Sequence, residues 1–268
     1  MRWLATAAAW AVLGACLGCA TPGAKPAPDP AVASQFAPTG KIRAAINFGN
    51  PILATKTANG DPQGVSVDIA REMGRRLGVP VELVTFNSAG AVVDAVKARE
   101  VDMAFVAIDP VRAADTEYTP PYVIIEGAYL VRNASPLQKN DEVDRAGTRI
   151  AVGRGSAYDL FLTREIKQAT LVRAPTSPMV TDVFLAQGLD VAAGVKQQLE
   201  ADAKRVGGVR LLPGRFMVIE QAIGVPKGRT AAQGWLTVQI EDIKSSGFVK
   251  DALARHRIEG ALVAPAAK

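Results

Sequence analysis

The chain has 268 residues, enough for two lobes each with its own core, and its 49% apolar and 21% charged side chains are those of a folded globular protein. Its 31 basic and 26 acidic residues leave a net charge of +5. The basic groups are scattered or interleaved with acids, and 6% aromatics are too few for a base-stacking surface, so no nucleic-acid partner is expected. The single histidine, His256, and the confinement of both cysteines to the first 20 residues argue against a zinc site, and no cofactor is indicated. His256 reads as a surface residue near a helix C-terminus, where a cation is favoured.

Met1-Arg2 precedes an apolar run from Trp3 to Ala15, followed by small residues, which is the layout of a secretory signal. Leu13-Gly14-Ala15-Cys16 resembles a bacterial lipobox, making Cys16 the expected lipidation site and acyl chains the expected membrane anchor. Cleavage near Ala20 and an uncleaved anchor are the other two readings of this segment. A folded part without thiols suits export to an oxidising compartment. Residues 21–39 are rich in Pro and Ala without an apolar period, and read as a semi-extended tether.

From Lys41 strand and helix patterns alternate. Ile42 to Ile46 reads as a strand, Asn59-Gly60-Asp61 as a turn, and Ser66 as the cap of a helix carrying Ala70, Met73 and Leu77 inward. Val81 to Thr85 is a strand, Ser88 caps a helix with Val92, Val93 and Val96 inward, and Val101 to Ala107 is a buried strand. The pattern restarts at Thr148. Arg149–Val152, Leu171–Arg173, Asp190–Ala193 and Val209–Leu212 read as strands, separated by helices from Ser156, Met179 and Val195. Ala222–Val225 is a last strand, Thr230–Ser246 and Phe248–His256 are last helices, and nothing after Gly260 is expected to be ordered. Two α/β lobes on one chain place a cleft between them, at the carboxyl ends of the strands. The loops after Ile46, Ala107 and Val152 therefore matter most.

The order and spacing of Gly60, Gly64–Ala70, Leu77-Gly78-Val79, Val101-Asp102, Arg112, Thr119–Tyr122, Gly155-Ser156, Gly188–Asp190 and Val225–Gly228 resemble the family 3 solute-binding proteins. The resemblance implies an α/β, two-lobed periplasmic-binding-protein-like fold (type II), each lobe a mostly parallel sheet covered by helices, with two hinge crossings. The crossings are expected near Ala128–Asn133 and Gln221–Gly224. Lobe 1 is then 40–129 with a return over 224–260, lobe 2 is 130–223, and 261–268 is a tail.

In the amino-acid binders of that family an Arg after the Val-Asp strand grips the ligand carboxylate. Arg112 matches its position, and a guanidinium presents a planar fork to a carboxylate. The alternative is a surface Arg paired with Asp109 or Asp115. Ser156 is expected to cap a helix whose free first-turn N–H groups face the ligand; Tyr158 reaches either the cleft or the core. Three features depart from the pattern. The loop Ala107–Arg112 is about two residues shorter than usual and lacks its hydroxyls. Val195 stands where the ammonium-binding Asp is usual. The lid aromatic has no clear counterpart, Asn50 and Phe48 being nearest. Asp109 is expected to supply the missing anion if the ligand carries an amine; a carboxylate without an α-amine is the other possibility. The resemblance implies a monomeric periplasmic ABC-transporter component that closes on a small carboxylate-bearing ligand, docks on a membrane permease and is not an enzyme. A dehydratase-like enzyme and a ligand-sensing partner of a membrane receptor are the rival classes.

Overall fold

The computed structural model describes residues 29–267. The expected signal segment, Cys16 and residues 21–28 of the expected tether lie outside these described residues. Within the remainder of that tether the chain is a helix instead, α1 (Pro30–Phe36). Asp29 caps it by accepting the Ala31 N–H at 2.8 Å, and Pro30 sits in the first turn, where its missing N–H costs nothing. Seven residues are too few to show a helical period beside so many prolines.

Strand β1 (Ile42–Asn47) leads into a hairpin of β2 (Thr55–Lys56) and β3 (Pro62–Gln63), then helix α2 (Val65–Leu77), β4 (Val81–Phe86), α3 (Ala89–Lys97) and β5 (Met103–Ala107). The α2 cap is Gly64, not the expected Ser66. Leu53 O accepts the Ser66 N–H at 3.1 Å and does the work of a capping side chain. A side chain at Gly64 would strike Leu53 O, and its φ of 125° suits only glycine. Then come β6 (Thr116–Tyr118), the long β7 (Val123–Arg132), β8 (Arg149–Gly153), α4 (Ala157–Glu165), β9 (Thr170–Ala174), α5 (Val180–Ala186), β10 (Val191–Val195), α6 (Lys196–Val206), β11 (Val209–Leu211) and the long β12 (Met217–Pro226). Helices α7 (Thr230–Ser245) and α8 (Phe248–Arg255) precede β13 (Leu262–Val263).

The strands form a sheet in the order β4-β1-β5-β12-β7-β10-β8-β9, with β11 and β13 also on β7 and β6 on β12. At one end β1 runs parallel to β4 and β5; at the other β8 runs parallel to β9 and β10. The wholly buried run of β5 and the buried Val191–Gly194 of β10 are what strands covered by helices on both faces require. The antiparallel β7 and β12 join the two halves. Along β7 the partner changes from β12 to β10 at Gly127. β11 ends on the far half at Leu211, whereas Gln221–Gly224 already pair with β5. The polar Glu220 and Gln221 hid the first half of β12, which starts at Met217.

Residues 261–267 are ordered, contrary to expectation. β13 pairs with Val123 and Ile124, and the Lys244 ammonium donates to Pro265 O at 2.8 Å.

Candidate functional site

The buried run of β5 brings the chain to the middle of the sheet and releases it at Ala107. Asp109 turns it by accepting the Val111 N–H at 2.8 Å, and a short 3-10 turn starts at Arg112. That geometry carries the Arg112 side chain inward, where the residue is 3% exposed. Its Nη1 donates to Ala107 O at 3.0 Å and its Nη2 crosses to the other half of the sheet, donating to Gly155 O at 2.9 Å. Its Nε is buried without a hydrogen-bond partner. Among the described residues no carboxylate lies within ion-pair distance of it. Burial lowers the Arg112 pKa below the ordinary value, against the pull of Tyr118 and Asp109 nearby.

Opposite, β8 ends at Gly153 and the chain enters α4 through Gly155 and Ser156. Ser156 caps the helix by accepting the Asp159 N–H at 3.0 Å, and Asp159 accepts the Gly155 N–H at 2.8 Å. Tyr158 is buried, and its hydroxyl is pushed up to about 12 by burial, so it stays neutral. Gly155 has φ 68°, and a side chain on it would approach the Cα of Gly90, in the first turn of α3, to 3.0 Å. The two halves thus meet through two glycines.

Between them lies a small cavity of about 30 Å³. Four of the expected site residues line it together: Arg112, Ser156, Tyr158 and Asn50. Two do not. Phe48 lies under the Lys56 ammonium, 4.9 Å from ring centroid to nitrogen. Asp109 points its free oxygen to Arg164 of α4, at 3.0 Å. Asp109 is bonded to a guanidinium and a backbone N–H and is not among the residues lining the cavity. Arg112 is not the surface Arg paired with Asp109 or Asp115 either.

Sequence reasoning missed Asn47, Ser177 and Gln221, which also line the cavity. Two of these had a signal. Asn47, at the end of β1, and Gln221, within β12, are polar strand residues, and both are buried. Buried amides in a strand ask for partners, which a cleft ligand supplies. Ser177 opens a 3-10 turn and carried no such mark.

Among the described residues no helix is long and apolar enough to cross a membrane. The family model of bacterial extracellular solute-binding proteins, family 3, matches residues 42–257. No curated protein matches the chain in sequence. Solved structures do match in fold. One is the solute receptor for L-cysteine of Neisseria gonorrhoeae, with 23% identity, TM-score 0.73, and 84% of this chain and 92% of that one covered. Another is a binding component of an ABC transporter from Wolinella succinogenes in complex with lysine, with 20% identity, TM-score 0.71, and coverage of 81% and 95%. A third is a histidine kinase sensor domain similar to periplasmic binding proteins, with 19% identity, TM-score 0.73, and coverage of 84% and 98%. With a family match over most of its length and the fold of these structures, the chain belongs to the bacterial extracellular solute-binding proteins of family 3.

Proposed function

We propose that this protein is a receptor for a small carboxylate-bearing solute, closing its two halves around the ligand and presenting it to the permease of an ABC transporter. One observation carries the reading: the Arg112 guanidinium is buried at the junction of the halves with its Nε unpaired and, among the described residues, no carboxylate within ion-pair distance. A buried charge without a counter-charge is costly, and a carboxylate ligand removes that cost through two charge-assisted hydrogen bonds. The first turn of α4 adds N–H groups at the same wall. Two of the similar structures are an L-cysteine receptor and a lysine complex, both amino-acid ligands with a carboxylate.

Halves joined by β7 and by the 212–216 segment suit hinge closure. In this reading the protein acts as a monomer in the periplasm, exported by its N-terminal segment and held to a membrane by lipid on Cys16. It performs no catalysis. The acids nearest the cavity are already engaged, Asp109 with Arg164 and Glu126 with Lys196 and Arg215, which leaves no acid-base pair for a dehydration. The likeness to a kinase sensor domain favours a second reading, in which the closed form signals to a membrane receptor through the same site.

Thermal melts of the purified protein against a panel of carboxylates, repeated with Arg112→Gln, test the proposal. A ligand at 100 times its Kd stabilises by about 2.7 kcal/mol. A stabilising carboxylate whose effect vanishes in the variant supports the receptor. A panel without effect, or hits indifferent to Arg112, refutes this site.

A further inference from the structure

The class of ligand follows from what surrounds Arg112, granted the receptor reading above. We propose that the ligand is a small organic anion without an ammonium group, a 2-hydroxy or 2-oxo carboxylate rather than a 2-amino acid.

Three sources of positive potential converge on the cavity. Arg112 is one. The first turn of α4 is the second, with Ser156, Ala157 and Tyr158 at the cavity wall. The first turn of α3 is the third: Ala89 lines the same cavity from the other half, just after its cap Ser88. Each helix end contributes about +0.5 of an elementary charge. An anion with its carboxylate on Arg112 sits in a field of one sign.

Nothing in the lining offsets that field. Among the described residues no Asp or Glu lines the cavity. The acids in its neighbourhood are bonded elsewhere: Asp109 to Arg164 and the Val111 N–H, Asp159 to Arg173 and the Gly155 N–H, Glu126 to Lys196 and Arg215. An α-ammonium lies within two bonds of its carboxylate carbon. It would be desolvated close to a guanidinium with no carboxylate to receive it. The polar groups that remain are neutral. Asn47, Asn50 and Gln221 are amides, and Ser177 and Tyr158 are hydroxyls. The Asn50 Oδ1 is buried without a partner. Such groups donate to a keto oxygen and accept from a hydroxyl, and need no charge in return.

Isothermal titration of the full-length protein with matched sets tests this: the 2-amino, 2-hydroxy and 2-oxo acids of each three- to six-carbon skeleton, in both enantiomers where they exist. The expected result is a hydroxy or oxo acid bound at least about tenfold tighter than its amino counterpart, with binding lost in Arg112→Gln. Asn50→Asp, which adds a carboxylate to the wall without changing its shape, should weaken the hydroxy or oxo acid and narrow the gap to the amino acid. Circular dichroism and melting confirm that each variant folds. An amino acid bound as tightly as its counterparts, still dependent on Arg112, overturns the ligand class and leaves the receptor standing. A preference that Asn50→Asp does not move overturns the electrostatic origin proposed here. If no member of any set binds, the carboxylate receptor itself falls, and the ligand class with it.

Discussion

Arg164 and Asp109 meet across the divide between the two halves, Nη1 to Oδ2 at 3.0 Å. The arginine belongs to α4 and the aspartate to the turn after β5. Their bond therefore exists only while the halves are together, and it lies three residues from Arg112. The pair is unevenly exposed, the Arg164 side chain 37% accessible and that of Asp109 4%. Breaking it strands a buried carboxylate, whereas the exposed arginine limits what the attraction adds.

Arg164→Ala is accordingly expected to weaken ligand binding about three- to tenfold, which is about 0.7–1.4 kcal/mol, mainly through faster release. Titration at low and high salt checks this. The wild-type affinity should fall modestly with salt, and the variant should lose part of that dependence. Equal affinities would show that the pair adds nothing to closure.

Arg112→Gln should separate stability from binding. It removes a buried charge with no carboxylate in ion-pair range, which offsets the loss of the bonds to Ala107 O and Gly155 O that the shorter Gln does not reach. The ligand-free melting temperature is expected to hold or rise, and the ligand-induced shift to disappear. A variant that melts well below wild type would show a structural guanidinium.

Gly155→Ala should hold the halves apart. A left-handed φ costs a non-glycine residue about 1–2 kcal/mol, and the new methyl group meets the Cα of Gly90 at 3.0 Å. Small-angle scattering should show a ligand-induced contraction in wild type and little or none in the variant.

Stability should fall on the acid side. Bonds from Arg75, helped by Arg76 against the cost of burial, hold Glu72 down to about 2. The N–H groups of Ala169, Lys167 and Gln168 hold Asp144 below the usual range, and Arg215 with Lys196 does so for Glu126. Burial by itself would raise Asp102, yet bonds from Arg43 and Arg229 overcome it and leave it lowered. Each of these carboxyls takes up its proton more readily unfolded than folded. Their stabilisation is complete above about pH 4.5 and is lost as pH falls from there towards 2. Melts from pH 8 to 2.5 should be flat at first and decline below about 4.5; Glu72→Gln should make the decline shallower.

Removing the docked helix should be expensive. Phe36 is fully buried against Trp235, ring centroids 5.7 Å apart, so Phe36→Ala is expected to cost about 3–5 kcal/mol. Urea melts measure this, and a cost near zero would mean that α1 only rests on the surface.

The alternation of patterns from Lys41 made the two α/β halves legible, because strands such as β5 and β10 and helices such as α3 each satisfy one period. Ser156 was legible from its place after a strand end, and Arg112 from its place in the family resemblance. What escaped the sequence was set by distant partners. Ser66 looks like a cap until Leu53 O takes its N–H. β13 is two residues long and exists because β7 has a free edge there. The Asp109–Arg164 pair was hidden as well, because Arg164, 55 positions on in the chain, gives no local sign of facing Asp109.

Helix α1 has a mechanical consequence. Phe36 packs on Trp235, and Gln35 accepts the N–H groups of Ala231 and Ala232 at 2.9 and 3.3 Å, at the start of α7. The chain therefore enters the fold riveted to the half that carries β1, β4 and β5. Tension applied from the N-terminal side is borne by that half as a stator. The half built on β8, β9 and β10 is coupled to it through the sheet at β7 and the 212–216 return, and is left as the rotor. In the receptor reading proposed above, tethering and swinging fall on opposite sides of the hinge.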